Sequence, residues 1–134
     1  MLRVCEPMPE TRVGQNLGLR VLVVEDEMFV ALHLEDLLVS FGCSVAGPVA
    51  RVQKAIEMAE SEALDLAILD VNIDGREVYP VADALARRGI PFIFVTGYGR
   101  SGIRPAYHDR PILPKPFRRD ELRLAIERFA SSPG

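Results

Sequence analysis

The stretch "LRVLVVEDEMFVALHLEDLLVSFGCSVAG" (residues 19–47) decides the fold of this 134-residue chain. It opens with an apolar, largely β-branched run, typical of a buried strand, that stops abruptly at three acidic residues, 25–27. The following residues predict a helix with one buried face, because apolar side chains recur three and four positions apart at Leu34, Leu37, Leu38 and Phe41. Gly42 predicts the end of this helix, and a second short strand follows.

The same alternation continues along the rest of the chain. Further strands are predicted at 43–47, 64–70, 90–96 and 110–114, and further helices at 51–60, from about Val78, and around Leu122. Strands that alternate with helices predict a doubly wound α/β fold, in which a five-stranded parallel sheet lies between two helical layers. The segment between Thr96 and Arg110 is rich in glycine, so we expect a fourth helix there to be short or mobile.

Length and composition bound the kind of protein. A chain of 134 residues, 49% hydrophobic and 26% charged, predicts one globular domain. A net charge of −3 argues against nucleic-acid binding through bulk charge, and no apolar run is long enough for a membrane helix. Two isolated cysteines favour the cytoplasm over a disulfide-rich secreted protein. We expect a flexible tail over residues 1–18, a domain over 19–130 and a short tail over 131–134.

Polar residues stand where the predicted strands end. Glu25 and Asp26 follow the first strand, Asp70 ends the third, Thr96 ends the fourth and Lys115 follows the fifth. Ligands of open α/β sheets bind at this edge, so we expect these side chains to converge. Clustered carboxylates need a cation, and Mg²⁺ prefers oxygen ligands and phosphate. An aspartate beside Mg²⁺ can attack a phosphoryl group, whose oxygens a lysine and a hydroxyl can stabilise.

The stretch "DVNIDGREVYPV" (70–81) also begins like a calcium-binding EF-hand loop. The twelfth position should then be a bidentate glutamate, but it is Val81, and a strand precedes Asp70 where a helix is needed. The calcium loop is therefore excluded. Asp74 and Gly75 instead predict a tight turn into the third helix.

A phosphatase of the haloacid dehalogenase class is an alternative interpretation of the same residues. Such enzymes use an aspartate nucleophile at a strand end, with a threonine or serine and a lysine at later strand ends. They also require a second acid two residues after the nucleophile, where this chain has Asn72, and a late acidic pair, where this chain has the early Glu25 and Asp26. The phosphatase remains the second hypothesis.

Four stretches resemble the signatures of a known family, in the same order and at similar spacing: "VLVVEDE" (21–27), "LAILDV" (66–71), "FVTG" (94–97) and "KPF" (115–117). The family is the response-regulator receiver domain of bacterial two-component signalling. The resemblance covers about residues 19–130. It implies a flavodoxin-like (βα)₅ fold with strand order 2-1-3-4-5.

The resemblance also implies roles for individual residues. Asp70 would accept a phosphoryl group from a histidine kinase. Asp26 would bind Mg²⁺ (or Mn²⁺) directly, Glu25 would bind it through water, and Asn72 would offer its backbone carbonyl. Thr96 would be the switch hydroxyl. Lys115 would pair with the phosphoryl group, and in this family the peptide bond to the following proline is commonly cis.

Three features depart from the usual receiver. The loop after Asp70 is short, Ile112 stands where an aromatic residue is usual, and Tyr98 follows directly after Thr96 and Gly97. The stretch "PFIFVTGYG" (91–99) resembles a single-domain alphaproteobacterial subclass named for its Phe-Ala-Thr-Gly-Tyr (FAT GUY) motif. That resemblance implies a stress-response circuit, a kinase of the HWE or a related family, and a switch formed by Thr96 and Tyr98.

Only four residues follow Ala130, so we expect a stand-alone response regulator. Such a protein would act in the cytoplasm as a switch rather than as an enzyme, with only self-catalysed phosphorylation and slow autodephosphorylation. It would bind a downstream protein or pass phosphate to a second kinase. The sequence leaves the oligomeric state open. A receiver-like module that binds partners without phosphorylation is a further alternative.

Overall fold

The computed structural model describes residues 16–97 and 102–130. Its elements in chain order are β1 (Arg20–Val24), α1 (Met28–Ser40), β2 (Ser44–Val49), α2 (Val52–Ser61), β3 (Leu66–Asp70), β4 (Asn72–Ile73), β5 (Arg76–Glu77), α3 (Tyr79–Arg87), β6 (Phe92–Thr96), a 3₁₀ helix (Pro105–Tyr107), β7 (Ile112–Pro114) and α4 (Arg119–Ala130). Five strands pair in parallel in the order β2-β1-β3-β6-β7. Since β4 and β5 form a separate hairpin, this is the predicted order 2-1-3-4-5, and the fold prediction is confirmed.

The central strands are buried on both faces, as their apolar sequences predict. Every residue of β3 and β6 is buried. Because successive side chains of a strand point to opposite faces, the sheet divides its apolar residues between two cores. One core joins the sheet to α2 and α3, and the other joins it to α1 and α4. This sandwich leaves the carboxyl-terminal edge of the sheet as the place where polar side chains gather.

Helix α1 follows its predicted pattern closely. Leu34, Leu37 and Leu38 are buried on one face, and Phe41, directly after the last helical residue, is fully buried. Gly42 has φ +82°, in the left-handed region that favours glycine just after a helix. The helix therefore ends where the sequence predicts.

The turn at Asp74 and Gly75 is present, but it does not lead directly into the third helix as predicted. It joins β4 to β5 in an antiparallel hairpin. Asp74 has φ +51° and Gly75 has φ +80°, the positive values that a two-residue hairpin turn requires and that Asp-Gly pairs favour. Helix α3 begins only at Tyr79, with Pro80 in its first turn. The hairpin thus stands directly beside the carboxyl end of β3.

The connection between β6 and β7 is described from residue 102 onward. The helical element assigned there is the three-residue 3₁₀ helix, which agrees with the short fourth helix predicted. Within the described chain no helix is both long and apolar enough to cross a membrane.

The predicted N-terminal tail is described only near its end. There the Leu17 N–H donates to the Phe41 carbonyl oxygen at 2.8 Å and the Gly18 N–H donates to the Gly42 carbonyl oxygen at 3.2 Å. Residues 1–15 and 131–134 lie outside the described residues, so the predicted boundaries at 18 and 130 stay predictions.

Candidate functional site

An open cleft lies at the carboxyl-terminal edge of the parallel sheet. Parallel pairing places the ends of β1, β3, β6 and β7 side by side, and the cleft opens between them and the β4–β5 hairpin. It is lined by Asp26, Glu27, Asp70, Val71, Asn72, Glu77, Thr96, Gly97, Gly102 and Lys115. Carboxylate oxygens of Glu25, Asp26 and Asp70 come within 4.8 Å of one another. The predicted convergence of charged residues at this edge is therefore present.

Lys115 is the central cation of the cleft. Its Nζ lies 3.3 Å from Asp70 Oδ2, 3.2 Å from Glu25 Oε1 and 3.5 Å from Glu27 Oε1. Its backbone N–H donates to the Thr96 carbonyl oxygen at 2.9 Å, which holds the start of the lysine side chain against the end of β6. The peptide bond from Lys115 to Pro116 is cis, as the family resemblance implied.

The surrounding carboxylates keep this lysine charged. Burial alone would favour the neutral amine, but the negative charges of Asp70 and Glu25 outweigh it and raise the pKa of Lys115 above its usual range. The cleft therefore holds a permanent ammonium group beside the Asp70 carboxylate.

Glu25 is the most deeply placed carboxylate, with 2% of the residue exposed. Its Oε2 accepts a hydrogen bond from the Glu27 N–H at 3.0 Å. Its Oε1 lacks an aligned hydrogen-bond donor among the described residues, although Lys115 Nζ is close to it. Burial raises the pKa of Glu25 to about 7, and the neighbouring Asp70 carboxylate adds to the rise, although the Glu27 N–H and the Lys115 charge oppose it.

These residues fit a hard divalent cation. Three carboxylates close together with one lysine leave excess negative charge, and Mg²⁺ is bound in proteins by such oxygen groups together with water. The carboxylates of Asp26 and Asp70 and the backbone carbonyl of Asn72 could hold the ion. The unsatisfied Glu25 Oε1 could accept a hydrogen bond from a water molecule bound to it.

The β4–β5 hairpin is tied to this acidic cluster. The Asp74 N–H donates to Asp26 Oδ2 at 2.8 Å, and the Gly75 N–H donates to Asn72 Oδ1 at 3.1 Å. The Asn72 side chain thus supports the hairpin turn, while its main chain lies beside Asp70, whose Oδ1 is 3.4 Å from the Asn72 nitrogen.

Two acidic residues of the cleft were missed by sequence reasoning. Glu27 was noted only as part of the acidic strand end, yet it contributes a third carboxylate to Lys115. Glu77 lines the cleft from β5. The run of three consecutive acids could have indicated Glu27, whereas nothing local indicates Glu77, because the hairpin brings it there.

One of the two predicted switch residues, Thr96, lies in the cleft. Thr96 is 3% exposed and lines the cleft at the end of β6. Tyr98 lies outside the described residues, so its part in a switch stays a prediction. Ile112, which replaces the usual aromatic residue, pairs with Phe94 in the sheet and is partly buried.

Comparison with known proteins agrees with this geometry. The family described as "Response regulator receiver domain" matches residues 21–127. The transcriptional regulatory protein PdtaR of Mycobacterium tuberculosis is 30% identical over 123 residues, which cover 89% of this chain and 60% of PdtaR. The phyllosphere-induced regulator PhyR of Methylorubrum extorquens is 30% identical over 111 residues, covering 78% of this chain and 41% of PhyR. The chain thus spans 60% or less of the length of these two relatives.

Solved structures that are similar to this chain support the same family. The solution structure of SdrG from Sphingomonas melonis Fr1 is 40% identical, with a TM-score of 0.76, covering 84% of this chain and 96% of SdrG. SdrG in its BeF₃-activated conformation is 40% identical, with a TM-score of 0.73, covering 85% of this chain and 98% of that chain.

The receiver domain of the sensor histidine kinase PA1611 from Pseudomonas aeruginosa PAO1, with magnesium coordinated in its active-site cleft, is 25% identical. Its TM-score is 0.72, over 86% of this chain and 99% of that domain. None of these likenesses supports the phosphatase alternative. The predicted family is confirmed: the chain belongs to the response regulator receiver domains, which work by phosphorylation-dependent signalling with histidine kinases as partners.

Proposed function

We propose that this protein is a phosphorylation switch in which Asp70 accepts a phosphoryl group from a histidine kinase. The observation that carries the proposal is the position of Lys115. Its ammonium group lies 3.3 Å from Asp70 Oδ2 and 3.2 Å from Glu25 Oε1, at the base of an open cleft. A permanent cation beside a carboxylate nucleophile suits a reaction that brings more negative charge to that place.

The chemistry is a transfer between two side chains. An Asp70 carboxylate oxygen attacks the phosphorus of the kinase's phosphohistidine, the phosphorus–nitrogen bond breaks, and its electron pair stays on the imidazole. The phosphoryl oxygens carry the charge. The Lys115 ammonium stabilises one of them, and we assign the Thr96 hydroxyl to donate a hydrogen bond to another.

Mg²⁺, or Mn²⁺ in its place, belongs to this proposal. The ion would neutralise charge on the incoming phosphoryl group and lessen the repulsion among the carboxylates. We assign Asp26 and Asp70 as direct ligands, the Asn72 backbone carbonyl as a further ligand, and Glu25 as a ligand through water. The acidic cluster and the magnesium-bound PA1611 receiver support this assignment.

Phosphorylation would then change the surface of the protein. A new dianionic group next to Thr96 is a local electrostatic event that can bias a two-state element. We propose that Thr96 moves toward the phosphoryl group and that Tyr98 repacks. If Tyr98→Ala retains normal phosphotransfer and normal partner binding, this part of the proposal is wrong.

The proposed signalling pathway follows from the resemblance of this chain to other receiver proteins. The FAT GUY motif favours a kinase of the HWE or a related family, a stress-response circuit and a cytoplasmic location. One similar structure, PhyR, is described as a stress response regulator, and Bartonella quintana PhyR as an anti-anti-sigma factor. For this chain we propose either a downstream protein partner or onward phosphotransfer to a second kinase.

A phosphotransfer assay tests the site. Candidate kinases carrying labelled phosphate are mixed with the wild-type protein and with Asp70→Asn, with and without Mg²⁺. We expect the transfer of label from the kinase to require both Asp70 and the metal. Label that persists on Asp70→Asn would remove Asp70 from the acceptor role, and steady turnover of a generic phosphomonoester would favour a phosphatase. If beryllofluoride and Mg²⁺ leave the spectrum of the wild-type protein unchanged, the protein would instead be a binding module that works without phosphorylation.

A further inference from the structure

Tyr79, the first residue of α3, holds the far end of the connection between β6 and β7. The residue is only 2% exposed. Its hydroxyl oxygen accepts a hydrogen bond from the Arg104 N–H at 2.8 Å, and the hydroxyl donates to the Gly102 carbonyl oxygen at 3.4 Å. One buried side chain on the helix after Asp70 therefore binds the main chain of two residues in the connection after Thr96.

These contacts lie next to two residues that line the cleft. Gly102 lines the cleft on one side and Glu77 lines it from the hairpin. The Arg104 guanidinium carbon lies 4.1 Å from the centroid of the Tyr79 ring, and Arg104 Nη2 lies 3.8 Å from Glu77 Oε1. That ion pair is long and largely exposed, with 48% and 71% of the two side chains accessible, so it contributes little to holding the walls together. The shielded Tyr79 hydroxyl is the stronger tie.

A second tyrosine fastens the same connection to α3. Tyr107, in the 3₁₀ helix, stacks on the Tyr79 ring at a centroid distance of 6.0 Å, and its hydroxyl donates to Asp83 Oδ1. Asp83 lies one turn along α3 from Tyr79. Neither Tyr107 nor Asp83 is among the described residues that line the cleft. Both hydroxyls attach the connection to α3, but of the two only the Tyr79 hydroxyl contacts a described residue that lines the cleft, Gly102.

We propose that Tyr79 is a positioning residue for the phosphoryl group on Asp70, an inference that rests on the proposed function. Its hydroxyl binds the main chain of Gly102 and Arg104, and so holds the part of the cleft wall that Gly102 forms. That wall sets the space in which a phosphoryl group fits. Without the hydroxyl, the Gly102 carbonyl and the Arg104 N–H each lose this hydrogen bond, and the segment is free to shift toward other partners.

The test compares two substitutions of identical chemistry, Tyr79→Phe and Tyr107→Phe, in the full-length protein. Each removes one hydroxyl and keeps the aromatic ring. Beryllofluoride is titrated in the presence of saturating Mg²⁺ while the amide signals of Thr96 and Gly102 are followed by NMR. We expect Tyr79→Phe to weaken beryllofluoride binding about fivefold, because binding must then order a segment that the two hydrogen bonds of the hydroxyl hold in place in the wild type. Tyr107→Phe should stay within about twofold of wild type, and the affinity for Mg²⁺ alone should be unchanged in both.

The outcomes separate this inference from the proposed function. Thermal unfolding curves first establish that both variants are folded. Wild-type affinity in Tyr79→Phe, or an equal loss in both variants, would overturn the positioning role, because a general loosening of the connection would then be the cause. A wild-type protein that does not bind beryllofluoride would overturn the proposed function itself, and the inference with it.

Discussion

Replacing Glu25 with glutamine should stabilise the metal-free protein above neutral pH. Burial raises the pKa of Glu25 from its usual 4.5 to about 7 in the folded protein. In the unfolded chain this carboxyl returns to its usual value. Between these two pH values the folded state holds a proton that the unfolded state has released, so the free energy of unfolding falls as the pH rises.

The size of this effect depends on the separation of the two pKa values. The contribution of Glu25 is fully present below about pH 4.5 and is lost as the pH rises through about 7. Each unit between the folded and unfolded pKa values corresponds to about 1.4 kcal/mol. The ionised Glu25 therefore costs the folded metal-free protein up to about 3 kcal/mol above pH 7. In a domain of this size, such a loss of free energy lowers Tm by on the order of 10 °C.

The assay is urea unfolding with EDTA present, followed by circular dichroism at pH 5 and pH 8. Glu25→Gln is compared with wild type and with Glu57→Gln, which removes a carboxylate from the exposed face of α2. We expect the wild-type protein and Glu57→Gln to lose stability together as the pH rises, while Glu25→Gln loses much less. Adding Mg²⁺ at about one hundred times its Kd should restore about 2.7 kcal/mol to the wild type.

Two results would refute the reasoning. One is that, in EDTA, the free energy of unfolding of the wild type stays constant or rises from pH 5 to pH 8, and that of Glu25→Gln changes in the same way. The other is a Glu57→Gln variant that loses its pH dependence as Glu25→Gln does. Either would mean that Glu25 is not the buried carboxyl responsible for the pH dependence.

Two further predictions concern the lysine and the hairpin. Lys115→Met should lower the affinity for beryllofluoride at least about a hundredfold, measured by NMR titration. The reason is that Lys115 is the only cation among the described residues that line the phosphoryl site. The same variant should still bind Mg²⁺, since the carboxylates remain. If Lys115→Met binds beryllofluoride as tightly as the wild type does, the role assigned to Lys115 is wrong. Gly75→Ala should lower the free energy of unfolding by about 1 kcal/mol, measured by urea, because Gly75 has φ +80° with open space around it, so the cost is backbone strain. Gly97→Ala, also in open space but without a positive φ, is the matched control and should stay within about 0.5 kcal/mol of wild type.

Much of the site could be predicted because parallel strands are simple to find in a sequence. A short apolar run that stops at a charged residue indicates a buried strand and its end. Since all carboxyl ends of a parallel sheet meet at one edge, Asp70, Thr96 and Lys115 could be placed together without any knowledge of their contacts. The same argument could not separate Glu25 from Asp26, which are neighbours in the chain. Glu25 is 2% exposed whereas Asp26 is exposed, and that difference depends on packing around the edge of the sheet.

The β4–β5 hairpin shows another limit of sequence reasoning. Its Asp-Gly turn was visible, but each of its strands has only two residues, too few to show an alternating pattern. The hairpin is held by contacts with residues distant in the chain, such as the Asp74 N–H on Asp26 Oδ2. No local pattern could therefore predict that Glu77 lines the cleft.

The sequence by itself determined the order of the five parallel strands and their helices along the chain, the faces they bury and the edge where the functional residues meet. These properties depend on local periodicity and on the geometry of a parallel sheet, both of which a single chain displays. Only the tertiary structure decided that Lys115 stands among three carboxylates and that Tyr79 binds Gly102, which lines the cleft, and Arg104. Those contacts join residues between 23 and 90 positions apart, and their distances arise from the packing of whole elements rather than from any local preference.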